Sequence, residues 1–452
     1  MRTQSNQAET SDIKIAVFGL GYVGTSIAAA WLRAGATVDG FDVSVERIAN
    51  LSNPKSIDFE KAVEEAFEKS LASGKLRLHS VTGVVRSDAD VKFVCVPVYL
   101  LSEEKRADLS FLKSAVGSVA LTLRKGDAVV ICPSVPPGTT RNEVVPILEK
   151  YSGLSAGEDF DVIYSPERIL VGRAVEDIEK RYPTIISGIN GKSLSRAESL
   201  FLKIAQKGVV KMPNLETAEF EKLAEGVYRD VNIALANELA MACDELGVNF
   251  WAVREAANSQ PFCNLHAPGL GVGGACIPVY PWFATQSLKK SASKMIEDSR
   301  EINDSMVDYL VASLETNFEI GRESNIVILG LAFRGGIADS RMSVTYRLVE
   351  LLREKGITHL QVHDPLIHSD VVLGKILTDN LQKALAEADV AIIATDHRNY
   401  GDFPWDSIPR KKTKLRVIDC KGMLLGKKFS NVEIFGLGYG ADRNPRLFEV
   451  TN

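Results

Sequence analysis

The sequence has no apolar run of about 18 residues, the length that a helix needs to cross a bilayer, so no membrane-spanning segment is predicted. It also has no basic block, and its formal net charge is −5. That balance argues against nucleic acid or an anionic membrane surface as the main partner. Residues 1–12 are polar and lack the apolar core of a signal peptide, so a loose N-terminal arm is predicted there.

Cysteine and histidine are scarce, and their spacing does not match the usual metal sites. The six cysteines form no CxxC pair and no Cys/His zinc pattern, and the histidines show no metal-ligand spacing. No metal is therefore predicted. Isolated cysteines in apolar surroundings are typical of a reducing compartment, so a cytoplasmic protein is expected.

The composition is that of an ordinary globular protein. Hydrophobic residues make up 45% and charged residues 25% of the 452 residues. A chain of this length is expected to form two or three domains.

Two parts of the chain alternate short β-rich runs with helical patterns, which predicts parallel sheets with helices on both faces. Before residue 205 the predicted strands are KIAVFG (14–19), TVDGFD (37–42), VKFVCVP (91–97), DAVVICPS (127–134) and DVIYSP (161–166). From residue 325 they are NIVILGLAF (325–333), HLQVHDP (359–365), DVAIIAT (389–395), LRVIDC (415–420) and VEIFG (432–436).

The stretch between these two parts predicts helices. Residues 215–247 contain no proline and end at a glycine, which predicts one helix about 45–50 Å long. A second helix is predicted over about 284–315. The predicted fold class is therefore α/β, with two Rossmann-like doubly wound domains joined by a long central helix. The predicted parts are an arm at 1–12, a first α/β domain at 13–210, a helical domain at 211–318 and a second α/β domain at 319–452.

A dinucleotide-binding fingerprint opens the first α/β domain. Gly19, Gly21 and Gly24 have GxGxxG spacing, follow a strand, open an apolar helix and precede a second strand that ends in Asp42. The first glycine suits the tight turn, the second the approach of a pyrophosphate and the third close helix–strand packing. Asp42 suits the ribose hydroxyls and repels a 2′-phosphate, so NAD is the predicted cofactor. The alternative is a plain βα turn.

A near-repeat of this motif, FGLGYGADRN at 435–444, is predicted to be a loop. Its last glycine, Gly440, comes one residue too early, and too little chain follows to build another βαβ unit. The same letters therefore lead to different predictions at the two ends of the chain.

A single cysteine, Cys276, follows four glycines in the stretch APGLGVGGACIPVYPWF (267–283). A backbone without side chains admits bulky groups to the sulfur, which fits a nucleophilic thiol. The alternative is a small buried hydrophobic residue, the commoner state of a free cysteine.

Several motifs stand in order along nearly the whole chain: GLGYVG (19–24), CVPV (95–98), SVPPGTT (134–140), SPERILVGR (165–173), EKLAEGVYRDVNIALANELA (221–240), GVGGACIPVYP (271–281) and GLAFRGGIADSRMS (330–343). Together they resemble the UDP-glucose/GDP-mannose dehydrogenase family. The wordings YRDVNIALANE (228–238) and NLHAPGLGVGG (264–274) are most similar to members that oxidise UDP-N-acetylhexosamines, especially UDP-N-acetylmannosamine.

The resemblance implies an NAD-dependent enzyme that converts the C6 alcohol of a UDP-sugar to a carboxylate. Because this removes four electrons and each NAD takes two, two cofactors react in turn. Cys276 is implied as the nucleophile that captures the aldehyde intermediate as a thiohemiacetal and carries it on to a thioester. Lys222 is implied to stabilise oxyanions, Glu167 to act as a base in hydrolysis, and Ser134 to hold a water. The alternatives are a solvated surface lysine and an ordinary loop carboxylate.

The resemblance also implies which residues bind the two ligands. The implied cofactor site consists of Gly19, Gly21, Tyr22, Val23, Gly24, Asp42, Arg47, Val96, Pro97, Ser134 and Lys421. The implied substrate site consists of Glu167, Arg168, Ile169, Lys222, Arg229, Asn264, His266, Gly271, Gly273, Gly274, Phe333, Arg334 and Arg341. Arg334 and Arg341 are expected to neutralise the diphosphate, with pairing to Asp339 and nearby glutamates as the alternative.

The sequence departs from the family pattern at three positions. Gly226 stands where the family usually has asparagine one turn after the lysine, and Tyr280 where it usually has aspartate four residues after the cysteine. These two losses affect catalysis, since removing one oxyanion donor costs about 10²–10³ in rate. Phe262 stands where the N-acetylhexosamine members tend to have arginine, which affects substrate recognition.

Two neighbours on the helix face of Lys222 are candidates to compensate for these losses. Glu225 and Arg229 lie three and seven residues after it, and both are equally consistent with a structural role. The phenol of Tyr280 supplies a hydroxyl but is a poor base at neutral pH, because its pKa is ordinarily about 10.

The predicted function is NAD-dependent oxidation of a UDP-sugar, with a UDP-N-acetylhexosamine as the first candidate and UDP-glucose or a related UDP-hexose as an alternative. The departures leave open a two-electron enzyme that stops at the aldehyde. The alternative outside catalysis is a silent sugar-nucleotide binding protein. The resemblance further implies a homodimer formed through the central helix and a uronate used for a cell-surface polysaccharide or glycan. No nucleic acid or membrane partner is predicted.

Overall fold

The computed structural model describes residues 13–53, 60–81, 86–289, 292–318, 320–409 and 414–440. The arm predicted at 1–12 lies outside them. The chain divides into two compact units. The first takes in the chain up to Glu225 together with Trp282–Ser287, and the second takes in Gly226–Pro281 and the chain from Leu288 onward. The predicted domain boundaries at 210/211 and 318/319 stay predictions.

The first unit is built on an eight-stranded sheet and a separate hairpin. The strands are β1 (Lys14–Phe18), β2 (Thr37–Asp42), β3 (Leu76–Ser80), β4 (Val91–Val94), the hairpin strands β5 (Tyr99–Leu101) and β6 (Arg106–Asp108), β7 (Ala128–Ile131), β8 (Asp161–Tyr164), β9 (Thr184–Gly188) and β10 (Val209–Lys211). The sheet order is β10-β9-β8-β7-β4-β1-β2-β3, and only β8 with β9 pairs antiparallel among the described strands of this sheet. Six of these strands reproduce the dinucleotide-binding order 3-2-1-4-5-6.

Helices lie on both faces of this sheet. They are α1 (Tyr22–Ala34), α2 (Val45–Leu51), α3 (Lys61–Ala72), α4 (Ser110–Ala120), α5 (Val145–Ser152), α6 (Ala174–Glu176) and α7 (Gly191–Phe201). Alternate residues of β1 enter different cores: Ile15 and Val17 pack with Trp31 of α1, whereas Ala16 and Phe18 enter the cluster that contains α4. A strand buried on both faces needs such an uninterrupted apolar run.

The five strands predicted for this part of the chain are confirmed, and the structure adds β3, β9, β10 and the hairpin. Among the added strands, β3 and β10 lie at the sheet edges and the hairpin strands have three residues each, so their sequence signal is weak. In β3 only Leu76 is fully buried, and β10 has no fully buried residue.

The long helix α8 spans Leu215–Leu246, and Gly247 follows it with φ 69°, so the helix predicted at 215–247 is confirmed. After it come α9 (Phe250–Asn258), α10 (Tyr280–Thr285) and α11 (Lys294–Phe318). The second helix, predicted over about 284–315, is present as α11, but its predicted start is wrong: α10 ends at Thr285 and α11 begins only at Lys294. Ser293 stands directly before α11, a position where serine favours a new helix start, and its hydroxyl donates to Glu297 Oε1 at 2.6 Å.

The second unit contains a five-stranded parallel sheet. Its strands are β11 (Ile326–Leu329), β12 (Leu360–His363), β13 (Val390–Ile393), β14 (Leu415–Asp419) and β15 (Val432–Gly436), in the order β12-β11-β13-β14-β15. This is the 2-1-3-4-5 order of doubly wound sheets. The connecting helices are α12 (Val344–Glu354), α13 (Leu381–Glu387) and α14 (Arg398–Gly401).

The predicted fold class is confirmed: the chain carries two doubly wound α/β sheets, with the long helix between them in sequence. All five strands predicted after residue 325 are present. Residues 437–440 form a turn, as predicted for FGLGYG, and residues 441–444 of that motif lie outside the described residues. Across the described ranges, no helix combines the length and apolarity needed to cross a membrane.

Candidate active site

The turn after β1 has the geometry that a dinucleotide requires. Gly19 has φ 90°, and its N–H donates to Phe41 O at 2.8 Å. A Cβ at Gly24 would collide with the carbonyl oxygen of Gly19, so α1 packs against the turn as closely as a glycine allows. A Cβ at Gly21 would meet no described atom within 4 Å, so the start of α1 is open to a ligand. These residues fit a bound pyrophosphate.

Asp42 and Arg47 fix the same turn from the end of β2. Asp42 Oδ2 accepts from Leu20 N at 2.8 Å, and its Oδ1 accepts from Ser44 N at 2.9 Å. Arg47 Nε donates to Leu20 O at 2.9 Å. Each carboxylate oxygen keeps a second lone pair, so Asp42 can still accept from ribose hydroxyls.

The other predicted cofactor residues of the first unit surround this turn. Tyr22 joins it to the SPERILVGR loop, because its hydroxyl accepts from Gly172 N at 2.8 Å and donates to Leu170 O at 3.2 Å. Val23 packs on the core below α1. Val96 and Pro97 follow β4, and a Cβ at Gly19 would lie 2.9 Å from the Val96 side chain.

Three predicted catalytic residues belong to the first unit: Ser134, Glu167 and Lys222. Burial raises the pKa of Glu167 from its usual 4.5 to about 7, against the opposing charge of Lys222. The Lys222 side chain is only 13% exposed, and its ammonium lies 3.7 Å from Glu225, so it is not a solvated surface lysine. Ser134 follows β7 and is partly buried.

Arg168 is held in place beside Glu167. Its Nη2 lies 2.7 Å from Glu225 Oε1, and its guanidinium stands 5.1 Å from the ring centre of Tyr182. Glu225, one candidate for compensating the catalytic losses, is therefore paired with Arg168 as well as with Lys222. Ile169 packs against the core of the same unit.

A buried carboxylate that was not predicted from the sequence supports the loop that carries Ser134. Glu219 of α8 accepts from Gly138 N at 2.6 Å and from Thr140 N at 2.7 Å. Burial raises its pKa from 4.5 to about 7 in spite of these hydrogen bonds. One sequence signal could have identified Glu219. It lies among the apolar residues Leu215, Ala218 and Leu223, all of them buried in the structure, at a helix start that is otherwise polar.

In the second unit, the glycine loop before Cys276 packs backbone against backbone. Gly271 has φ 108°, and a Cβ there would lie 2.5 Å from Asn303 O. A Cβ at Gly273 would lie 2.8 Å from Phe333 Cβ, and one at Gly274 would press on the Phe333 ring at 3.0 Å. Larger residues would move the loop, so the glycines set its path.

Cys276 is exposed, whereas Cys95, Cys132 and Cys420 are buried. Its carbonyl oxygen accepts from Val279 N and Tyr280 N at 3.0 Å each, which fixes the turn that presents the thiol. The alternative of an inert buried thiol is therefore wrong for this cysteine.

The two catalytic departures meet in space. A Cβ at Gly226 of α8 would collide with the ring of Tyr280, which is buried. The tyrosine ring therefore fills the place beside the helix that a side chain at residue 226 would take. Sequence spacing alone gives no sign of this pairing, since 54 residues separate the two positions.

The predicted diphosphate residues lie in the loop after β11. Arg341 donates to Asp339 through Nε at 3.0 Å and Nη2 at 2.6 Å, the pairing given above as the alternative. Its side chain stays 65% exposed, so the guanidinium is accessible to a ligand. Gly274 N donates to Arg341 O at 2.9 Å, which joins this loop to the glycine loop, and Arg334 is partly buried nearby in sequence.

The remaining predicted ligand residues are also in the second unit. His266 lies edge-on to Tyr228 with ring centres 6.3 Å apart, and burial together with Arg229 lowers its pKa. Asn264 and Arg229 are exposed. A Cβ at Gly269 would collide with the ammonium of Lys421, so this lysine lies against the glycine loop.

Family models match three successive parts of the chain. Residues 13–205 match the NAD binding domain of the UDP-glucose/GDP-mannose dehydrogenase family, residues 216–305 its central domain and residues 327–425 its UDP binding domain. The chain belongs to the UDP-glucose/GDP-mannose dehydrogenase family. It is accordingly an NAD-dependent nucleotide-sugar dehydrogenase, with NAD as its cofactor.

Relatives in this family extend over almost the whole chain. The UDP-N-acetyl-D-mannosamine dehydrogenase of Pyrococcus horikoshii is 32% identical over 91% of this chain and 96% of its own. The NDP-N-acetyl-D-galactosaminuronic acid dehydrogenase of Ralstonia solanacearum is 30% identical over 92% of this chain and 97% of its own.

Solved structures of family members share the fold. The UDP-D-ManNAc dehydrogenase structure from Pyrococcus horikoshii has a TM-score of 0.86 at 31% identity, over 95% of this chain and 100% of that one. The UDP-glucose dehydrogenase from Pyrobaculum islandicum has a TM-score of 0.83 at 27% identity, over 95% of this chain and 99% of that one.

Proposed function

We propose that this protein oxidises the C6 alcohol of a UDP-N-acetylhexosamine to the uronate, in a four-electron reaction that passes through Cys276. The observation that carries the proposal is the exposed thiol at the end of a loop whose glycines set its path. The names of the relatives support the substrate class, because one names UDP-N-acetyl-D-mannosamine and the other names an NDP-N-acetyl-D-galactosaminuronic acid, the oxidation level of the proposed product.

The proposed reaction balances as two oxidations and one hydrolysis. Bound NAD supplies the hydride acceptor in each of two rounds, and exchange of NADH for NAD separates them. The first round removes two electrons and two hydrogens from the alcohol and leaves the aldehyde. The Cys276 thiolate adds to that carbon, and the second round converts the thiohemiacetal to a thioester. Water then cleaves the carbon–sulfur bond, releasing the carboxylate and the free thiol.

The residues of the first unit serve the proton and oxyanion steps. The Lys222 ammonium, largely shielded from solvent, stabilises the alkoxide and the thiohemiacetal oxyanion. The pKa of Glu167, near 7, suits a base that takes a proton from the hydrolytic water at neutral pH. Ser134 holds that water through its hydroxyl.

The remaining predicted site residues keep their roles in this proposal. The glycine turn, Asp42 and Arg47 hold NAD, and Arg334 and Arg341 hold the diphosphate. We assign the uronate to the synthesis of a cell-surface polysaccharide or glycan. The protein forms a homodimer through α8, where Phe220, Tyr228, Leu235 and Leu246 are exposed.

The experiment that tests this function counts NADH per sugar with NAD and, in turn, UDP-glucose, UDP-galactose, UDP-N-acetylglucosamine, UDP-N-acetylmannosamine and GDP-mannose. Two NADH per UDP-N-acetylhexosamine are expected. One NADH per sugar would identify a two-electron enzyme that stops at the aldehyde. Binding of NAD and UDP-sugars without NADH from any of them would identify a sugar-nucleotide binding protein.

Replacing the thiol separates the proposed route from other routes. Cys276→Ser is expected to abolish uronate formation while leaving the affinity for NAD unchanged, because a serine hydroxyl is a far weaker nucleophile at neutral pH. Cys263→Ser, at a half-buried thiol in the same unit, is the matched control and should behave as wild type. Full uronate production by Cys276→Ser would refute the thioester route.

A further inference from the structure

Below the glycine loop, α8 and α11 share a buried polar cluster that the proposed chemistry does not use. Asp230 and Asn237 of α8 are completely buried, and Arg300 and Asn303 of α11 are 2% and 1% exposed. Four such residues in one place are unusual, because burying polar groups costs free energy unless their hydrogen bonds are made.

The cluster forms a directed series of hydrogen bonds that ends on the loop. Arg300 Nη1 donates to Asp230 Oδ1 at 2.5 Å, and Asn303 Nδ2 donates to the same oxygen at 2.9 Å. Asn303 Oδ1 then accepts from Asn237 Nδ2 at 2.9 Å. Finally, Asn237 Oδ1 accepts from Gly269 N at 2.8 Å. The charge pair thus orients the first amide, and the first amide orients the second.

The last bond of the series holds the beginning of the glycine loop. Gly269 is confined on another side by Lys421, whose ammonium leaves no space for a Cβ. Two residues later the backbone of Gly271 lies directly on the carbonyl of Asn303. The Asn237 amide and the α11 backbone therefore support the same loop at neighbouring points.

On this basis, and resting on the proposed function of Cys276, we infer that Asn237 is a positioning residue for the loop that carries the nucleophile. Cys276 follows Gly269 by only seven residues, and glycines make the loop compliant wherever it is not held. A displacement of about 1 Å at a reacting group can cost about 10² in rate. Buried amides that are hydrogen-bonded on both sides, as Asn237 and Asn303 are, fix a geometry in a way that apolar packing does not.

The first test removes the amide. Asn237→Ala is expected to lower kcat about 100-fold while changing the dissociation constant of NAD far less, because every predicted NAD residue except Lys421 lies in the other unit. Hydrogen exchange in peptides that cover residues 265–280 should become faster, which measures loop release without catalysis. Asn232→Ala, whose amide bonds its own helix at Tyr228 O, is the matched control on α8 and should leave both readouts unchanged.

The second test exchanges the amide for a carboxyl group. In Asn237→Asp the protonated acid can still accept from Gly269 N and donate to Asn303 Oδ1, whereas the ionised form cannot donate. Burial and the charge of Asp230 favour the protonated form of the new carboxyl, whereas Arg300, which pairs with Asp230, and the Lys421 ammonium beside Gly269 favour the ionised form. We expect burial to prevail, because position 237 is completely buried, and so to raise the pKa. The ratio of its kcat to that of wild type should therefore be highest at low pH and fall, as pH rises through that pKa, to the level of Asn237→Ala.

The outcomes separate this inference from the proposed function. If Asn237→Ala keeps kcat within about twofold, or if Asn237→Asp follows the wild-type pH profile, the positioning role is wrong. If Cys276→Ser still makes uronate, the proposed function is wrong whatever the Asn237 variants do. Unchanged hydrogen exchange in a folded Asn237→Ala would also overturn the inference.

Discussion

Residue 226 is glycine in this chain, where the family usually has asparagine, and the ring of Tyr280 fills the space beside it. The ring occupies the space into which a Cβ on Gly226 would point, so neither position can change alone without a clash or a void. The two departures from the family pattern are therefore one structural change. Lys222 lies one helical turn before Gly226 on α8, and Tyr280 lies four residues after Cys276, so the exchange concerns both ends of the proposed chemistry.

A double-mutant cycle tests this coupling. Gly226→Asn is expected to lose most activity because its side chain collides with the ring, and Tyr280→Asp to lose activity because it leaves a cavity beside α8. The double variant should recover a large part of the loss, with a coupling free energy of about 1–3 kcal/mol in unfolding. Denaturant titration measures the coupling in unfolding, and the rate of NADH formation measures the loss and recovery of activity. Additive losses would contradict the pairing.

At the scale of elements, each sheet begins with the same construction. Gly19 after β1 and Gly330 after β11 have φ 90° and 112°, and each N–H donates to the strand beside it at 2.8 Å. The following leucine N–H then donates to a carboxylate at the end of that neighbouring strand, Asp42 in the first unit and Asp364 in the second. The two turns are therefore held by the same pattern of hydrogen bonds.

The two carboxylates differ in what remains available to a ligand. Asp364 is buried, and its Oδ2 accepts from Ala332 N at 2.8 Å and lies 3.1 Å from His397 Nε2. Although burial opposes ionisation, the hydrogen bonds from His397, Ala332 and Leu366 bring its pKa to about 2. A carboxylate so occupied has no place for ribose hydroxyls, so the proposed binding of the diphosphate in this unit relies on other residues, among them the exposed Arg341.

The attachment of α8 to the SVPPGTT loop gives a prediction at the same scale. Glu219→Gln keeps one acceptor but sets an NH₂ group against a backbone N–H, so the free energy of unfolding should fall by about 1–3 kcal/mol. The control is Glu216→Gln, three residues before Glu219 on α8, where the carboxylate forms an exposed ion pair with Arg141. This change should lower the free energy of unfolding by less than about 1 kcal/mol. Denaturant titration measures both.

The difference in the free energy of unfolding between wild type and Glu219→Gln should depend on pH, and its sign follows from the pKa of Glu219. The pKa of Glu219 is about 7 in the folded protein and 4.5 in an unfolded chain, so its ionisation costs stability between these values. The gap between wild type and Glu219→Gln should therefore be larger near pH 5 than near pH 8. A difference in unfolding free energy that increases with pH would contradict the raised pKa of a buried Glu219 carboxyl group.

The sequence was sufficient for elements whose residues are neighbours in the chain. Strands with unbroken apolar runs, such as β1 and β7, and the proline-free α8 were predicted because their pattern is local. The partnership of Asn237 with Gly269 was not, since it joins residues 32 apart through one buried hydrogen bond. The exposure of Cys276 likewise depends on how the glycine loop packs, which composition does not encode.

At the scale of the whole molecule, an exposed apolar stripe along α8 supports the proposed homodimer. Phe220, Tyr228, Leu235 and Leu246 are all exposed, and steps of about 100° per residue place them within one face of the helix. Exposed apolar side chains that line up in this way mark interaction surfaces in soluble proteins. A second copy of the chain is the partner that the proposed homodimer supplies, because a two-fold interface pairs a surface with itself.

The dimer is tested by charging the centre of this stripe. Leu235→Lys should shift the mass measured by light scattering from two chains to one, because an isolated ammonium inside an apolar interface is strongly unfavourable. Leu121→Lys, at an exposed leucine directly after α4, is the control and should leave the mass at two chains. NAD affinity should be unchanged in the monomer, since the glycine turn and Asp42 lie within the first unit. A wild-type protein of single-chain mass, or a Leu235→Lys variant that stays dimeric, would contradict this surface as the interface.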